Sequence, residues 1–118
     1  MIIALILLGI CLAIFIFFFF FPIVQICGYS MFPTLTDGEF YLGIRVLHKS
    51  KCEVGKIYVY KPPYASEQEK FVIKRLARIK DGKYYFLGDN EIDSYDSRYY
   101  GYVDSDNVVA QLITRKEV

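Results

Sequence analysis

Two patterns of apolar residues divide the chain. From Ile2 to Val24 the run is continuous, broken only by Gly9 and Pro22. After residue 38 the spacing becomes an alternation. Phe40, Leu42, Ile44 and Val46 alternate with Tyr41, Gly43 and Arg45; Ile57, Val59 and Lys61 with Tyr58 and Tyr60; Val72, Lys74 and Leu76 with Phe71, Ile73 and Arg75. Tyr84 to Leu87 and Val108 to Thr114 are also β-rich. Successive side chains of a strand point to opposite faces, so a period of two marks half-buried strands. Turn residues separate these stretches: Thr36-Asp37-Gly38, Gly55, Asp81-Gly82 and Gly88-Asp89-Asn90. Asp81-Gly82 between Ile79 and Lys83 reads as a two-residue hairpin turn. Lys61 to Lys70 reads as a polar loop. The pattern predicts one apolar helix followed by a mainly β domain, a small antiparallel barrel or sandwich. No internal repeat and no long amphipathic helix is present.

The apolar run is long enough to cross a bilayer. As a helix, residues 2–24 span about 34 Å, against a hydrocarbon core of about 30 Å. A cleaved signal peptide is the main rival. It requires an apolar region of about 7–15 residues behind a basic segment, then small residues at the cut. This run is longer, no Lys or Arg precedes it, and Ile23-Val24-Gln25-Ile26 stands where small residues belong. A lipid-modified Cys27 is a further alternative, disfavoured by the bulky Ile26 before it. The expectation is an uncleaved anchor over residues 1–25 and a β-rich domain over 26–118. Charge does not orient the anchor. The first cationic side chain after it is Arg45, beyond the window of about 15–20 residues in which the positive-inside bias operates.

Composition narrows the function. The chain has 118 residues, with 14 Lys+Arg against 13 Asp+Glu, all of them after Cys27. A net charge of +1 provides no electrostatic footprint for nucleic acid. Only 4 Pro and 8 Gly, with 18% aromatic residues, exclude a disordered chain. Three cysteines make no disulfide framework, and a single His builds no paired Cys/His zinc site. Metal-protease, P-loop and dinucleotide motifs are absent, so neither metal nor cofactor is expected. Gly28-Tyr29-Ser30-Met31-Phe32 is not a nucleophile elbow, because Phe32 replaces the second Gly, and no Ser-x-x-Lys occurs. His48, in the polar stretch His48-Lys49-Ser50-Lys51, reads as a solvated loop residue rather than a catalytic base.

Three segments remain. Gly28-Tyr29-Ser30-Met31-Phe32-Pro33-Thr34-Leu35 follows the apolar run directly. Phe71-Val72-Ile73-Lys74-Arg75-Leu76 sets a lysine inside an apolar strand. Gly88-Asp89-Asn90 leads into Ser94-Tyr95-Asp96-Ser97-Arg98-Tyr99-Tyr100-Gly101. A serine hydroxyl is a weak nucleophile without a base. A lysine serves as that base only when neutral, and an ordinary pKa of about 10.4 leaves well under 1% neutral at pH 7. Burial lowers that pKa, and Phe71, Val72, Ile73 and Leu76 supply apolar surroundings. Strand alternation directs Arg75 to the other face.

In this order, behind an N-terminal anchor, the three segments resemble the type I signal peptidases, membrane-bound Ser/Lys proteases. The resemblance covers residues 28–101 and, with the anchor, most of the chain. It implies a serine endopeptidase that removes N-terminal signal peptides from exported preproteins, with the β core of that family. Ser30 would be the nucleophile and Lys74 the base. Ser94 matches the serine that hydrogen-bonds and orients the lysine, and Asp96 and Arg98 match an ion pair. Gly88, Asp89 and Asn90 match the turn that brings this segment alongside. The Ser30 backbone N–H would serve the oxyanion. Some relatives add a hydroxyl two residues before the nucleophile; Gly28 stands there, so the second donor is unassigned. Substrate would add as an extended strand near Ile26–Ser30 and Phe71–Lys74, with Ile26, Met31, Leu35, Val72 and Ile73 at the pocket positions. Small side chains before the cut would be favoured. The implied partners are signal peptides, the lipid bilayer and the protein export machinery, and the implied location is a single-pass cell-membrane protein with its catalytic domain outside the cytoplasm.

One departure bears on substrate range. Many bacterial relatives insert a large β region between the lysine strand and the Gly-Asp-Asn segment, where only residues 75–87 intervene here. A peptidase dedicated to one exported or plasmid-transfer substrate is therefore an alternative. A non-catalytic anchored β-module that binds export partners is another, from a different class.

Overall fold

The computed structural model describes residues 1–64 and 66–114. Ala65 of the expected polar loop and residues 115–118 of the expected β-rich domain lie outside them. Helix α1 (Ile2–Phe20) is followed by strands β1 (Ile23–Gln25), β2 (Phe40–Arg45), β3 (Ile57–Tyr60), β4 (Val72–Lys80) and β5 (Lys83–Leu87), a one-turn helix α2 (Ser97–Tyr100), then β6 (Val103–Asp104) and β7 (Val108–Leu112).

Helix α1 ends earlier than the apolar run. A residue before proline is driven out of the helical region, and Phe21, before Pro22, has φ −124° and ψ 72°. The chain then turns into β1, which pairs with β2 through Ile23–Leu42, Val24–Tyr41 and Gln25–Phe40. Residues 23–25, apolar enough to extend the helix, are thus the first strand of the sheet. At 19 residues the helix is about 28 Å long. Its mean hydropathy is 3.3 and none of its residues is buried. The molecule measures 58 × 33 × 32 Å, so the helix projects from one end of the β domain rather than lying on it. This is the arrangement of a single-pass membrane protein.

The strands form one curled antiparallel half-barrel in the order β1-β2-β7-β3-β4-β5-β6. All four residues of β3 are buried, as befits a strand covered on both faces. Its alternation separates two cores. Tyr58 and Tyr60 join Leu76, Tyr84, Phe86 and Val103 on one side. Ile57 and Val59 join Ile26, Met31, Leu35, Ala110 and Leu112 on the other. The phenols of the first core find partners: Tyr58 Oη accepts from the Glu53 N–H at 2.9 Å, and Tyr84 Oη accepts from the Cys52 N–H at 3.2 Å. The β4–β5 hairpin turns on Asp81 (φ 52°) and Gly82 (φ 74°), the paired positive φ angles of a type I′ turn. That hairpin occupies the whole interval 75–87, with a bulge between Leu76 and Arg78.

Candidate active site

Ser30 sits in the turn that leaves β1. Gly28 enters this turn at φ 91°, a conformation that favours glycine, and its N–H donates to Asp37 Oδ1 at 2.8 Å. The turn is fastened from the far side of the chain. The Asn90 N–H donates to the Ser30 carbonyl at 2.8 Å, and Asn90 Nδ2 donates to the Tyr29 carbonyl at 2.9 Å. Among the described residues the Ser30 N–H donates to no protein acceptor.

Lys74 lies on β4 opposite Tyr58 of β3 and is 6% exposed. Its Nζ donates to Ser30 Oγ at 2.8 Å. Burial pushes the Lys74 pKa below its ordinary value, while Asp96, Glu69 and Asp93 work in the opposite direction. None of the three carboxylates forms an ion pair with it among the described residues. The strand brings an amine to the serine hydroxyl and keeps water from stabilising the amine's charge.

The segment after β5 packs beneath this pair. Asp96 is fully buried and caps α2 by accepting from the Arg98 N–H. It also accepts from Arg98 Nη2 at 2.7 Å, from Ser94 Oγ at 2.7 Å and from the Gly88 N–H at 2.9 Å. Burial alone would raise its pKa; the donors Arg98, Gly88 and Ser94 outweigh it and hold the carboxyl at about 2. The expected Asp96–Arg98 ion pair is formed. Ser94 Oγ donates its hydrogen bond to Asp96 rather than to the lysine, and among the described residues the expected Ser94–Lys74 hydrogen bond is not formed. Gly88 is where the segments meet. A Cβ there would run into Ser94 Oγ and would lie 2.7 Å from the Ser30 carbonyl oxygen.

Arg75 and Thr34 also hold the segments together, which the sequence pattern did not assign to them. Asp89 accepts from Thr34 Oγ1 at 2.6 Å and from Arg75 Nε and Nη2 at 2.9 and 2.7 Å. One carboxylate therefore ties the Ser30 segment, the Lys74 strand and the Gly88 turn. Burial raises the Asp89 pKa, but Arg75 and Thr34 bring it below the ordinary carboxyl value. His48 is exposed in a loop, as its polar context implied.

A cleft of about 330 Å³ leads away from the Ser30–Lys74 pair. One wall is Val24–Cys27 and the other Phe71–Lys74, with Val59 beneath and Gln68 and Glu69 at the rim. Val72–Lys74 pair with β3 alone, because β5 begins its pairing at Arg75. Both walls therefore present a free strand edge among the described residues. Of the five pocket positions, Ile26, Val72 and Ile73 line this cleft. Met31 and Leu35 do not; at 2% and 0% exposure they are core residues.

A search of the curated proteins finds no match. The family described as "Signal peptidase, peptidase S26" matches residues 1–78 and 65–115. That match takes in the helix, the whole half-barrel and every residue of the site just described, and by it this chain belongs to the signal peptidase S26 family.

Proposed function

We propose that this protein is a membrane-anchored serine endopeptidase that removes signal peptides from exported preproteins with a Ser30/Lys74 dyad. The observation that carries this reading is the 2.8 Å contact between Lys74 Nζ and Ser30 Oγ, with the lysine buried. When Lys74 is neutral, the same contact carries a proton the other way. Ser30 Oγ attacks the scissile carbonyl as its proton passes to Nζ. The resulting ammonium protonates the leaving amine, which departs and leaves an ester on Ser30. Water, deprotonated by Lys74, then hydrolyses that ester. The Ser30 N–H faces the developing oxyanion. Ser94, Asp96, Arg98, Gly88, Asp89 and Asn90 act as positioning residues. They fix the serine turn against β4, as a dyad that works by geometry requires.

The cleft supports the substrate assignment. It runs from the dyad along two free strand edges toward Val24 and Phe71, the end from which α1 leaves. An extended peptide there has the residues before its cut in the cleft and its apolar stretch directed back into the same bilayer. Ile26, Val72 and Ile73 narrow the cleft to small side chains. The catalytic domain then faces the compartment into which preproteins are exported. The plain β4–β5 hairpin over 75–87 favours a second reading on the same chemistry, a peptidase with one dedicated substrate. Cleavage of a panel of unrelated precursors separates the two.

The deciding experiment uses the full chain in bilayer discs with a precursor bearing Ala-x-Ala before the cut. Wild type cleaves it; Ser30→Ala and Lys74→Ala do not, while retaining the wild-type circular dichroism spectrum. Normal processing by Ser30→Ala overturns the proposal.

A further inference from the structure

The hollow beside the dyad does not stop at Phe71. Phe71 also borders a second hollow, over Val59 and Val109, and a third of about 440 Å³ ringed by Arg45, Lys49 and Lys61. The third opens where α1 leaves the domain. Arg45 fixes that position: its Nε donates to the Phe19 carbonyl at 2.7 Å, and its guanidinium lies 4.3 Å from the Phe19 ring centre. Phe19 is in the last turn of the anchor. Since Phe19 closes the membrane-crossing helix Ile2–Phe20, a hollow bordered by Arg45 lies near the level of the bilayer surface, where lipid phosphates sit.

Its donors are free to take one. Arg45 spends Nε on the anchor and has its two terminal amino groups left. Lys49 Nζ donates to the Asp106 carbonyl at 3.0 Å and keeps two protons. The Lys61 ammonium has no partner among the described residues. Asp106 is the one carboxylate among the residues that line the hollow, so the cations exceed it by two. Leu47, 65% exposed, and Phe71, 51% exposed, add an apolar rim.

We propose that this hollow seats the phosphate of an anionic phospholipid, with its acyl chains entering beside Leu47 and Phe71. A soluble phosphate has no use for an apolar rim at the last turn of an anchor. A zwitterionic headgroup brings its own cation to a site already in cationic excess. The seat fixes the height and rotation of the β domain over the bilayer, so the cleft opens where an anchored substrate emerges.

The chain has no tryptophan, so Leu47→Trp supplies a unique probe. The full chain is placed in phosphatidylcholine discs containing either brominated phosphatidylglycerol or, at the same mole fraction, brominated phosphatidylcholine. The expected result is stronger quenching by the phosphatidylglycerol, with the preference falling about fivefold for each lysine removed in Lys49→Gln and Lys61→Gln. Equal quenching by the two lipids overturns the proposal. So does a preference that survives the double variant. Should the double variant melt early, the exposed Lys61→Gln alone carries the same test. The readout is lipid contact rather than cleavage, so its failure leaves the peptidase reading standing, and the reverse holds too.

Discussion

The two faces of strand β4 treat neighbouring cations in opposite ways. Arg75 is answered in full: Asp89 takes Nε and Nη2, and the Gly55 carbonyl takes Nη1 at 2.6 Å. Lys74, one residue away and more deeply buried, meets a neutral hydroxyl. A carboxylate is at hand in Asp96, but Arg98, Ser94 and the Gly88 N–H occupy it. Burying a charge without a partner is costly. A fold that saturates the nearest carboxylate instead of giving it to the lysine has the arrangement the proposed dyad requires, with the arginine left to tie the segments together.

The sharpest way to break this contrast is to remove each charge in turn. Lys74→Met should cost at least about 10⁴ in kcat/KM, the scale of losing one member of a catalytic unit. It should also stabilise the protein at neutral pH. The folded-state pKa of Lys74 lies below its ordinary value, so folding releases protons between the two, and stability rises with pH through that interval. Methionine removes this cost and keeps the volume. Arg75→Met should do the reverse: cleavage is largely kept, while about 1–3 kcal/mol is lost because Asp89 is left short of donors. Thermal melts and precursor cleavage on both variants decide it. A Lys74→Met protein that melts earlier than wild type would make the lysine structural and sink the contrast.

Gly88→Ala tests whether the faces depend on one hinge. A Cβ at that position collides with Ser94 and with the Ser30 backbone, neither of which yields without moving the Ser30 turn. A 1 Å misplacement costs on the order of 10²-fold in rate, and kcat should fall more than KM rises. Unchanged kcat would show that the turn tolerates movement.

The acid limit of stability is a smaller effect on the same saturated carboxylate. Asp96, held at about 2, contributes stability that is complete above its unfolded value near 3.8 and is lost as pH falls toward 2. In Arg98→Gln the folded value moves back toward 3.8, so the loss should be smaller and should end at a higher pH, read from melting temperature against pH. An identical acid profile in the two proteins would remove Arg98 from the cause.

How much of this was legible in the sequence follows from how local each feature is. The β4 alternation and the Asp81-Gly82 turn are local, and both appear where the pattern put them. The resemblance of three segments gave Ser30 and Lys74, which the fold brings to 2.8 Å across 44 residues of chain. Long-range partners left no local trace: Thr34 and Asp89 are 55 residues apart. The end of α1 was masked because Ile23 and Val24 are as apolar as the helix they follow. Met31 and Leu35 show the limit of apolar character as a signal, since the floor of a cleft and the core beneath it use the same side chains.

The smallest effect is also the finest probe of the unanswered face. Cleavage should rise with pH as Lys74 loses its proton, with a midpoint below the ordinary lysine value because burial prevails. Asp96, Glu69 and Asp93 oppose that shift from a distance. Asp96 is committed to the fold, but Glu69 and Asp93 are exposed, so their charges can be removed without disturbing the core. Glu69→Gln and Asp93→Asn should each move the midpoint to lower pH, and less at high salt, because exposed charges are screened over about 10 Å at 0.1 M. The Arg75 face gives the control. Lys56→Gln, near that face, should leave the midpoint unmoved, since no charge there is among those acting on Lys74. A midpoint that moves upward in Glu69→Gln would mean that removing a carboxylate stabilises the ammonium, which the geometry forbids, and would show that the titrating group is not Lys74.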